Sequence, residues 1–225
     1  MNKTENITAC IRCGTCCRKG GPALHKEDKK ILLKGHISYH HLITIRKGEL
    51  AFTPLSSKPE PVKQELVKIA GKGKSWACLF YEKKQSSCAV YEKRPLECRL
   101  LKCWDTSDIL SITGKGTITR SDLINPADAV MKLIETHEKE CPVYETENLI
   151  SNLSKKTGKS KSLARLTELV CKDMDIRSRA VAEFDLPLSI ELFIFGRPLF
   201  KLLNSRGIFI REIMGKISLS IDGIR

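Results

Sequence analysis

Aromatic side chains are scarce in this chain: two Trp, four Tyr and seven Phe in 225 residues. That weakens any function built on stacking successive bases. Long apolar runs are missing as well. The most apolar stretch, residues 186–195, is interrupted by Ser189 and Glu191, and is far shorter than the roughly 18 residues of a membrane-spanning helix. The opening Met1-Asn2-Lys3-Thr4-Glu5 holds no apolar segment of signal-peptide type. No membrane association and a cytoplasmic, reducing location are therefore expected. Nucleotide motifs are absent too. The earlier glycine of a phosphate loop ending in Gly158-Lys159-Ser160 falls on Leu153, and there is no Gly-x-Gly-x-x-Gly fingerprint. A Gly-x-Ser-x-Gly nucleophile elbow is missing, and no acid–base pair stands out.

What the chain does have is cysteine and positive charge. It carries 10 Cys and a formal net charge of +13. Eight cysteines lie before residue 104: Cys10, Cys13, Cys16, Cys17, Cys78, Cys88, Cys98 and Cys103. Residues 1–110 also hold most of the excess charge, about +10 against +3 for the remainder. In a reducing compartment such cysteines are better explained as metal ligands than as disulfides. Thiolates are soft, negatively charged donors that suit zinc or iron–sulfur clusters. Two-residue gaps between Cys10, Cys13 and Cys16 let the chain turn around one side of a centre, a spacing shared with ferredoxin cluster loops. Adjacent residues point in different directions, so Cys16 and Cys17 suit two separate centres. Four plus four cysteines then make two four-thiolate sites, each drawing on both segments. Each site would contribute about −2, lowering the chain's charge to about +9.

The surroundings fit this chemistry. Arg12, Arg18, Lys19, Arg94, Arg99 and Lys102 place positive charge near the thiols, which lowers their pKa. Arg94 and Arg99, beside Pro95 and Cys98, are read as supporting the site, together with Tyr91 and Trp76. The lysines at 26, 29, 30 and 34 are read as solvated. Cys141 reads as a free thiol near a helix end and Cys171 as a small buried apolar residue. None of the five histidines stands in zinc-finger spacing beside a cysteine pair. His40-His41 is read as surface and His137 as packing.

The coarse pattern predicts an α+β protein, irregular around its cysteines, with few strands and a mainly helical second half. Residues 1–110 are taken as a cysteine-cluster module and 111–225 as a helical extension. A helix is expected over 26–34, stopped by Gly35. A hairpin is expected from 42–46 and 49–52 across Lys47-Gly48, and a linker over 54–61. Val62, Leu66 and Ile69 suggest a helical face. Strands are expected at 76–81 and 88–91, followed by a helix after Pro95 carrying both Cys98 and Cys103. In the second half, Asn125 and Pro126 open a helix with Val130, Leu133, Ile134 and His137 inward. Leu149, Ile150 and Leu153 mark another, 154–162 a basic linker, and Leu163, Leu166, Val170 and Met174 a third. Pro187 opens a fourth that Gly196-Arg197-Pro198 stops, and Ile217, Leu219 and Ile221 alternate as a strand.

The run Cys10-x-x-Cys13-x-x-Cys16-Cys17, then Trp76-Ala77-Cys78, then Cys88-Ala89-Val90-Tyr91-Glu92-Lys93-Arg94-Pro95-Leu96-Glu97-Cys98-Arg99, resembles the CxxCxxCC cysteine-cluster family (YkgJ-like), a zinc- or iron-chelating domain. The resemblance covers residues 7–105. It is also seen in the cysteine pattern of flagellin lysine N-methylases, which implies an iron–sulfur cluster ([4Fe–4S]) ahead of zinc. It further implies redox chemistry or modification of a protein substrate by methyl transfer. S-adenosylmethionine enters only through this resemblance, because the second half does not match those enzymes. Two alternatives accompany it: a non-catalytic zinc module that recruits a protein or nucleic acid, and a protein that handles iron or zinc. Nucleic acid is the less favoured partner, and oligomeric state is not legible.

Overall fold

The structure is a computed structural model that describes residues 9–53, 56, 58–73, 75–155, 158–213 and 216–221. The tail before residue 9, residues 54, 55 and 57 of the expected linker, and residues 156–157 of the second linker lie outside the described residues.

The chain is α+β, as its pattern predicts. In the first half, α1 (Lys29–Leu33) is followed by β1 (Leu42–Ile45), β2 (Leu50–Ala51), β3 (Glu60–Pro61) and β4 (Leu66–Ile69). Then come β5 (Gly71–Lys72), β6 (Ala77–Cys78), β7 (Tyr81–Glu82), β8 (Ser87–Cys88), α2 (Leu96–Leu100) and α3 (Ser107–Ile112). The second half holds α4 (Ala129–Glu140), α5 (Val143–Asn152), α6 (Lys159–Phe184), α7 (Glu191–Phe195) and α8 (Leu199–Asn204). It ends in the hairpin β9 (Ile208–Ile213) and β10 (Lys216–Ile221). The strand predicted from Ile217, Leu219 and Ile221 is thus present, and its partner β9 was not foreseen.

The expected hairpin across Lys47-Gly48 does not form. β1 pairs antiparallel with β4, Leu42 opposite Ile69, while β2 pairs with β3. All four residues of β1 are buried, so this strand must be covered on both faces and cannot lie in a two-stranded surface ribbon. Arg46 and Glu49 close the intervening turn: the Arg46 amide donates to the Glu49 carboxylate at 3.0 Å, and the Glu49 amide to the Arg46 carbonyl at 3.0 Å.

The helical face expected from Val62, Leu66 and Ile69 is also corrected, since β4 is a strand. Apolar runs this short fit either period. Here the backbone partners decide: the Val67 amide donates to the Ile118 carbonyl, Leu24 donates to Val67, and Ile69 to Pro22, each at 2.9 Å. The β-branched Val67 and Ile69 point inward and are almost fully buried.

The single strand expected over 76–81 is split. β5 pairs with β6, and β7 with β8, giving two small hairpins. The split lies at the turn Leu79-Phe80, while Trp76, left-handed at φ 56°, sits in the turn between β5 and β6 and outside the strand. Helix α2 carries Cys98 only; it ends at Leu100, and Cys103 lies in the turn beyond. Helix α4 begins at Ala129 rather than at Pro126. Asp128 caps it by accepting from the Val130 amide at 2.9 Å, while Asn125 accepts from Ala127.

Helix α6 spans 26 residues, about 39 Å, and takes in residues 159–162 of the expected linker. Its buried line is Leu166, Leu169, Val170, Asp173, Ile176, Arg177 and Ala180. Met174 is off that line, and Cys171 is exposed rather than buried. Cys141, at the end of α4, is the enclosed thiol. Leu24, Leu42, Val67 and Ile118 share one buried cluster with Leu133, Leu166, Phe193 and Leu199. Polar bonds cross the same seam: Thr44 Oγ1 donates to the Phe193 carbonyl at 2.5 Å, and Arg46 Nη2 to the Cys141 carbonyl at 2.6 Å. No helix among the described residues is long and apolar enough to cross a membrane.

Candidate metal centre

The loop from Cys10 to Lys19 is shaped by two left-handed residues, Arg12 at φ 57° and Gly14 at φ 73°. It closes in a 3-10 turn over Cys17–Lys19. The Arg12 amide donates to Cys10 Sγ at 3.4 Å, and the Arg18 amide to the Gly14 carbonyl at 2.9 Å. Arg18 then ties the loop from the side, its Nη1 donating to the Cys13 carbonyl at 3.1 Å and its Nη2 to Thr15 Oγ1 at 3.3 Å. Tyr81, buried on β7, lies directly beneath Gly14.

The remaining cysteines come to this loop from three elements. β6, with Cys78, packs against the 3-10 turn that begins at Cys17. Cys88 sits opposite Tyr81 across the β7–β8 pair. Cys98 is delivered by α2, which is pinned at its start. The Leu96 amide donates to Asp28 Oδ1 at 2.8 Å, and Glu97 accepts from the Ala23 amide at 2.8 Å. Glu97 Oε1 also lies 3.3 Å from His25 Nε2. Cys78 belongs to the buried core, with Cys17 and Cys88 packed on it. Cys13 and Cys103 are exposed.

The thiols influence one another's ionisation. Cys98 is pushed well up, first by burial and then by the charges of Cys78, Cys16 and Cys88. Cys17 is raised by its hydrogen bond with Cys16, by burial, and by the charges of Cys16, Cys78 and Cys98. Cys78 is raised by burial and by Cys88, against its bond to the Phe80 backbone. Cys103, by contrast, responds to burial and to Cys16, Cys13 and Cys10. Cys13 is lowered by its hydrogen bonds with the Thr15 hydroxyl and backbone. Cys16 is lowered to about 6, chiefly by its hydrogen bond with Cys17.

Of the residues expected to support the site, Tyr91 and Arg94 stand together. The Tyr91 ring is covered by the Arg94 guanidinium, 3.7 Å from its centroid, and by that of Arg12 at 4.1 Å. Arg99 instead pairs with Glu27 at 2.8 Å, and Lys102 with Asp108 at 2.6 Å. Trp76 packs against Gly71, the residue opposite Cys78. One residue was missed: Lys68 on β4. Burial lowers its pKa, against the charges of Glu97 and Cys78. Nothing in a sequence that reads as a helix there would bring Lys68 to the cysteines.

Among the described residues, the group of three or more His, Cys, Asp or Glu with ligand atoms within 4.8 Å of one another is His137, Cys141 and Asp173. All three are buried, but the carboxylate is already used. Asp173 Oδ1 accepts from His137 Nε2 at 2.7 Å and from Arg177 Nε at 2.9 Å, and Oδ2 accepts from the Leu199 amide at 2.9 Å. A guanidinium on the carboxylate and Arg46 on the Cys141 carbonyl make this an ion network that ties α4 to α6 and α8, with His137 Nδ1 left without a partner. His137, expected as packing, is thus packed and also charge-paired. A cavity of about 260 Å³ lined by Leu32, Leu33, Ile37, Tyr39 and Leu123 lies apart from the cysteines.

No curated protein and no solved structure matches the chain. Residues 9–115, just under half of its length, match the family model CxxCxxCC, "Putative zinc- or iron-chelating domain". All eight clustered cysteines fall inside that match, so the resemblance read from their spacing is borne out for this segment, and with it a metal-binding role.

Proposed function

We propose that residues 9–115 hold two iron–sulfur clusters, an inner one on Cys17, Cys78, Cys88 and Cys98 and an outer one on Cys10, Cys13, Cys16 and Cys103, and that they carry electrons. The run Cys10-x-x-Cys13-x-x-Cys16-Cys17 carries this reading: its two-residue gaps are those of ferredoxin cluster loops, and it lies inside the segment that matches a zinc- or iron-chelating family. Such clusters supply one-electron chemistry when bound. The chain's own contribution is to hold the thiolates apart in two sets and to balance their charge with Lys68, Arg12 and Arg94.

The division into sets rests on the packing of Cys17 and Cys88 with Cys78 in the core and on the exposure of Cys13 and Cys103. The electrons would serve redox chemistry or modification of a protein substrate. Methyl transfer enters only through the family resemblance, without a motif of its own for S-adenosylmethionine.

The test is anaerobic purification from iron-replete cells. The expected product is brown, holds about eight iron and eight sulfide per chain, and bleaches on reduction. A colourless protein holding about two zinc and no sulfide overturns the cluster reading in favour of a zinc module. Ready exchange of bound metal with a chelator in the folded state would point to metal handling, because a structural centre resists removal until the fold is lost.

A further inference from the structure

Asp28 is fully enclosed, at 0% exposure. A carboxylate is costly to bury unless its oxygens are hydrogen-bonded. Here each oxygen takes one backbone amide, and the two amides come from segments far apart in sequence. Oδ2 accepts from His25 in its own turn at 2.9 Å, and Oδ1 from Leu96, the first residue of α2, at 2.8 Å. Glu97 makes the converse tie, its Oε2 accepting from the Ala23 amide at 2.8 Å. Residues 23–28 are themselves fixed. The Leu24 amide donates to Val67 and the Lys26 amide to Gly116, both at 2.9 Å, and the Ile118 amide donates to Leu24 at 2.8 Å. Just past β4, the Ala70 carbonyl accepts from the amide of Leu79, the residue after Cys78, at 2.9 Å. A continuous path of hydrogen bonds and short chain segments therefore leads from Cys98 on α2, through Asp28 and β4, to Cys78. Helix α2 has five residues, too few to hold their place by their own hydrogen bonds.

Resting on Cys78 and Cys98 as metal ligands, whichever metal they hold, we propose that Asp28 is a positioning residue for the metal centre. It fixes Cys98 relative to Cys78 in the metal-free chain, so that the two thiols are presented to the metal rather than gathered by it. Asp28 acts through the backbone of α2 and not as a ligand. What it supplies is two acceptor oxygens. Asparagine at this position keeps one acceptor and turns an amide NH2 towards the second backbone N–H, so one tie is lost; alanine loses both.

The experiment uses the full chain, reduced and stripped of metal, with two readouts. One is anaerobic alkylation by iodoacetamide, resolved cysteine by cysteine by mass spectrometry. The other is titration with Co²⁺ alone, followed by thiolate-to-cobalt absorption. Asp28→Asn is expected to raise the labelling of Cys98 relative to the exposed Cys13 about tenfold, as α2 opens more readily. It should weaken Co²⁺ binding about 10–100-fold, the usual effect of losing an outer partner of a ligand. Asp28→Ala should do more, and if it does not fold, Asp28→Asn decides alone. Glu27→Gln, which removes only the surface pair with Arg99, should change neither readout. Glu138→Gln, which weakens the fold without touching α2, should lower the melting temperature and leave the labelling ratio and the Co²⁺ affinity at the wild-type level. A wild-type ratio and affinity in Asp28→Asn overturn the proposal. So does an equal rise at all the cysteines in Asp28→Asn and Glu138→Gln alike, since Asp28 then serves only overall stability. An unchanged Co²⁺ spectrum in Cys98→Ser overturns it together with the assignment of Cys98 as a ligand. Neither readout depends on whether the native metal is iron or zinc, so the cluster reading and the role of Asp28 fail separately.

Discussion

The phenol of Tyr81 occupies the space that a side chain on Gly14 would need. Gly14 is buried and left-handed, at φ 73°, and a β-carbon there would fall within the Tyr81 ring. Tyr81 in turn faces Cys88 across β7–β8. The loop bearing the first four cysteines is therefore seated on the hairpin bearing the sixth. Gly14→Ala is expected to combine a left-handed penalty of about 1–2 kcal/mol with displacement of the tyrosine. The proposed outer centre should lose most of its metal. Gly35→Ala is the control, left-handed at φ 70° with nothing near its β-carbon; it should lose only the left-handed penalty of about 1–2 kcal/mol and no metal. Metal analysis and urea denaturation of the two variants check this.

The proposed division of the cysteines into two sets predicts a pattern of non-additivity. Cys13→Ser and Cys103→Ser should each remove about half of the bound iron, and the double variant should remove no more. Cys13→Ser with Cys78→Ser should remove nearly all of it. Cys78→Ser is also expected to lower the melting temperature more than Cys13→Ser, because Cys78 is a core residue and Cys13 is exposed. Additive losses within one set would show that the cysteines are grouped differently.

The candidate site was more legible than the fold around it. Spacing alone marks Cys10, Cys13, Cys16 and Cys17, because a thiolate centre imposes covalent geometry on a short loop. The strand pairing was not legible, because β4 and the Trp76 region are only a few residues long and their partners lie far away in sequence. Val67 bonds to Ile118, and Leu24 to Val67; no local period reports such contacts. Cys171 failed for a related reason. On α6 the buried line runs through Val170 and Asp173, and a charged inward residue shifts the face that apolar residues alone would draw.

Arg46, Arg120, Glu65 and Glu138 form a buried junction between the two halves. Glu138 accepts from Arg46 Nη2 at 2.7 Å and from Arg120 Nη2 at 2.6 Å, and Arg120 also binds Glu65. Both guanidiniums are enclosed, at 2% and 3% side-chain exposure. Glu138→Gln removes the charge partner of Arg46 while Arg120 keeps Glu65. Removing one member of a buried pair typically costs about 3–5 kcal/mol. The half-exposed Glu138 places the expected loss at the lower end, about 3 kcal/mol. Denaturant unfolding followed by circular dichroism measures it, and the shared core predicts one transition for both halves rather than two.

His137 and Asp173 set an acid limit. Burial lowers the His137 pKa, and the Arg46 and Arg177 charges add to that, against the pull of Asp173. Burial opposes the Asp173 charge, yet the bonds from His137 and the Leu199 amide and the Arg177 charge hold its carboxyl below the ordinary range. The folded chain therefore binds fewer protons at these sites than the unfolded one. Stability from His137 is present above the ordinary histidine value of about 6.5 and is lost as pH falls through its lower folded value. The Asp173 contribution is lost further down, below about 4. His25 acts oppositely. Glu97 raises its pKa, so its contribution is full below about 6.5 and is lost as pH rises. The prediction is therefore a difference: wild-type minus His137→Gln stability should shrink between pH 7 and 5, by no more than about 1.4 kcal/mol per pH unit. His25 and the thiols cancel in that difference. A flat difference would show that the buried imidazole is not the titrating group.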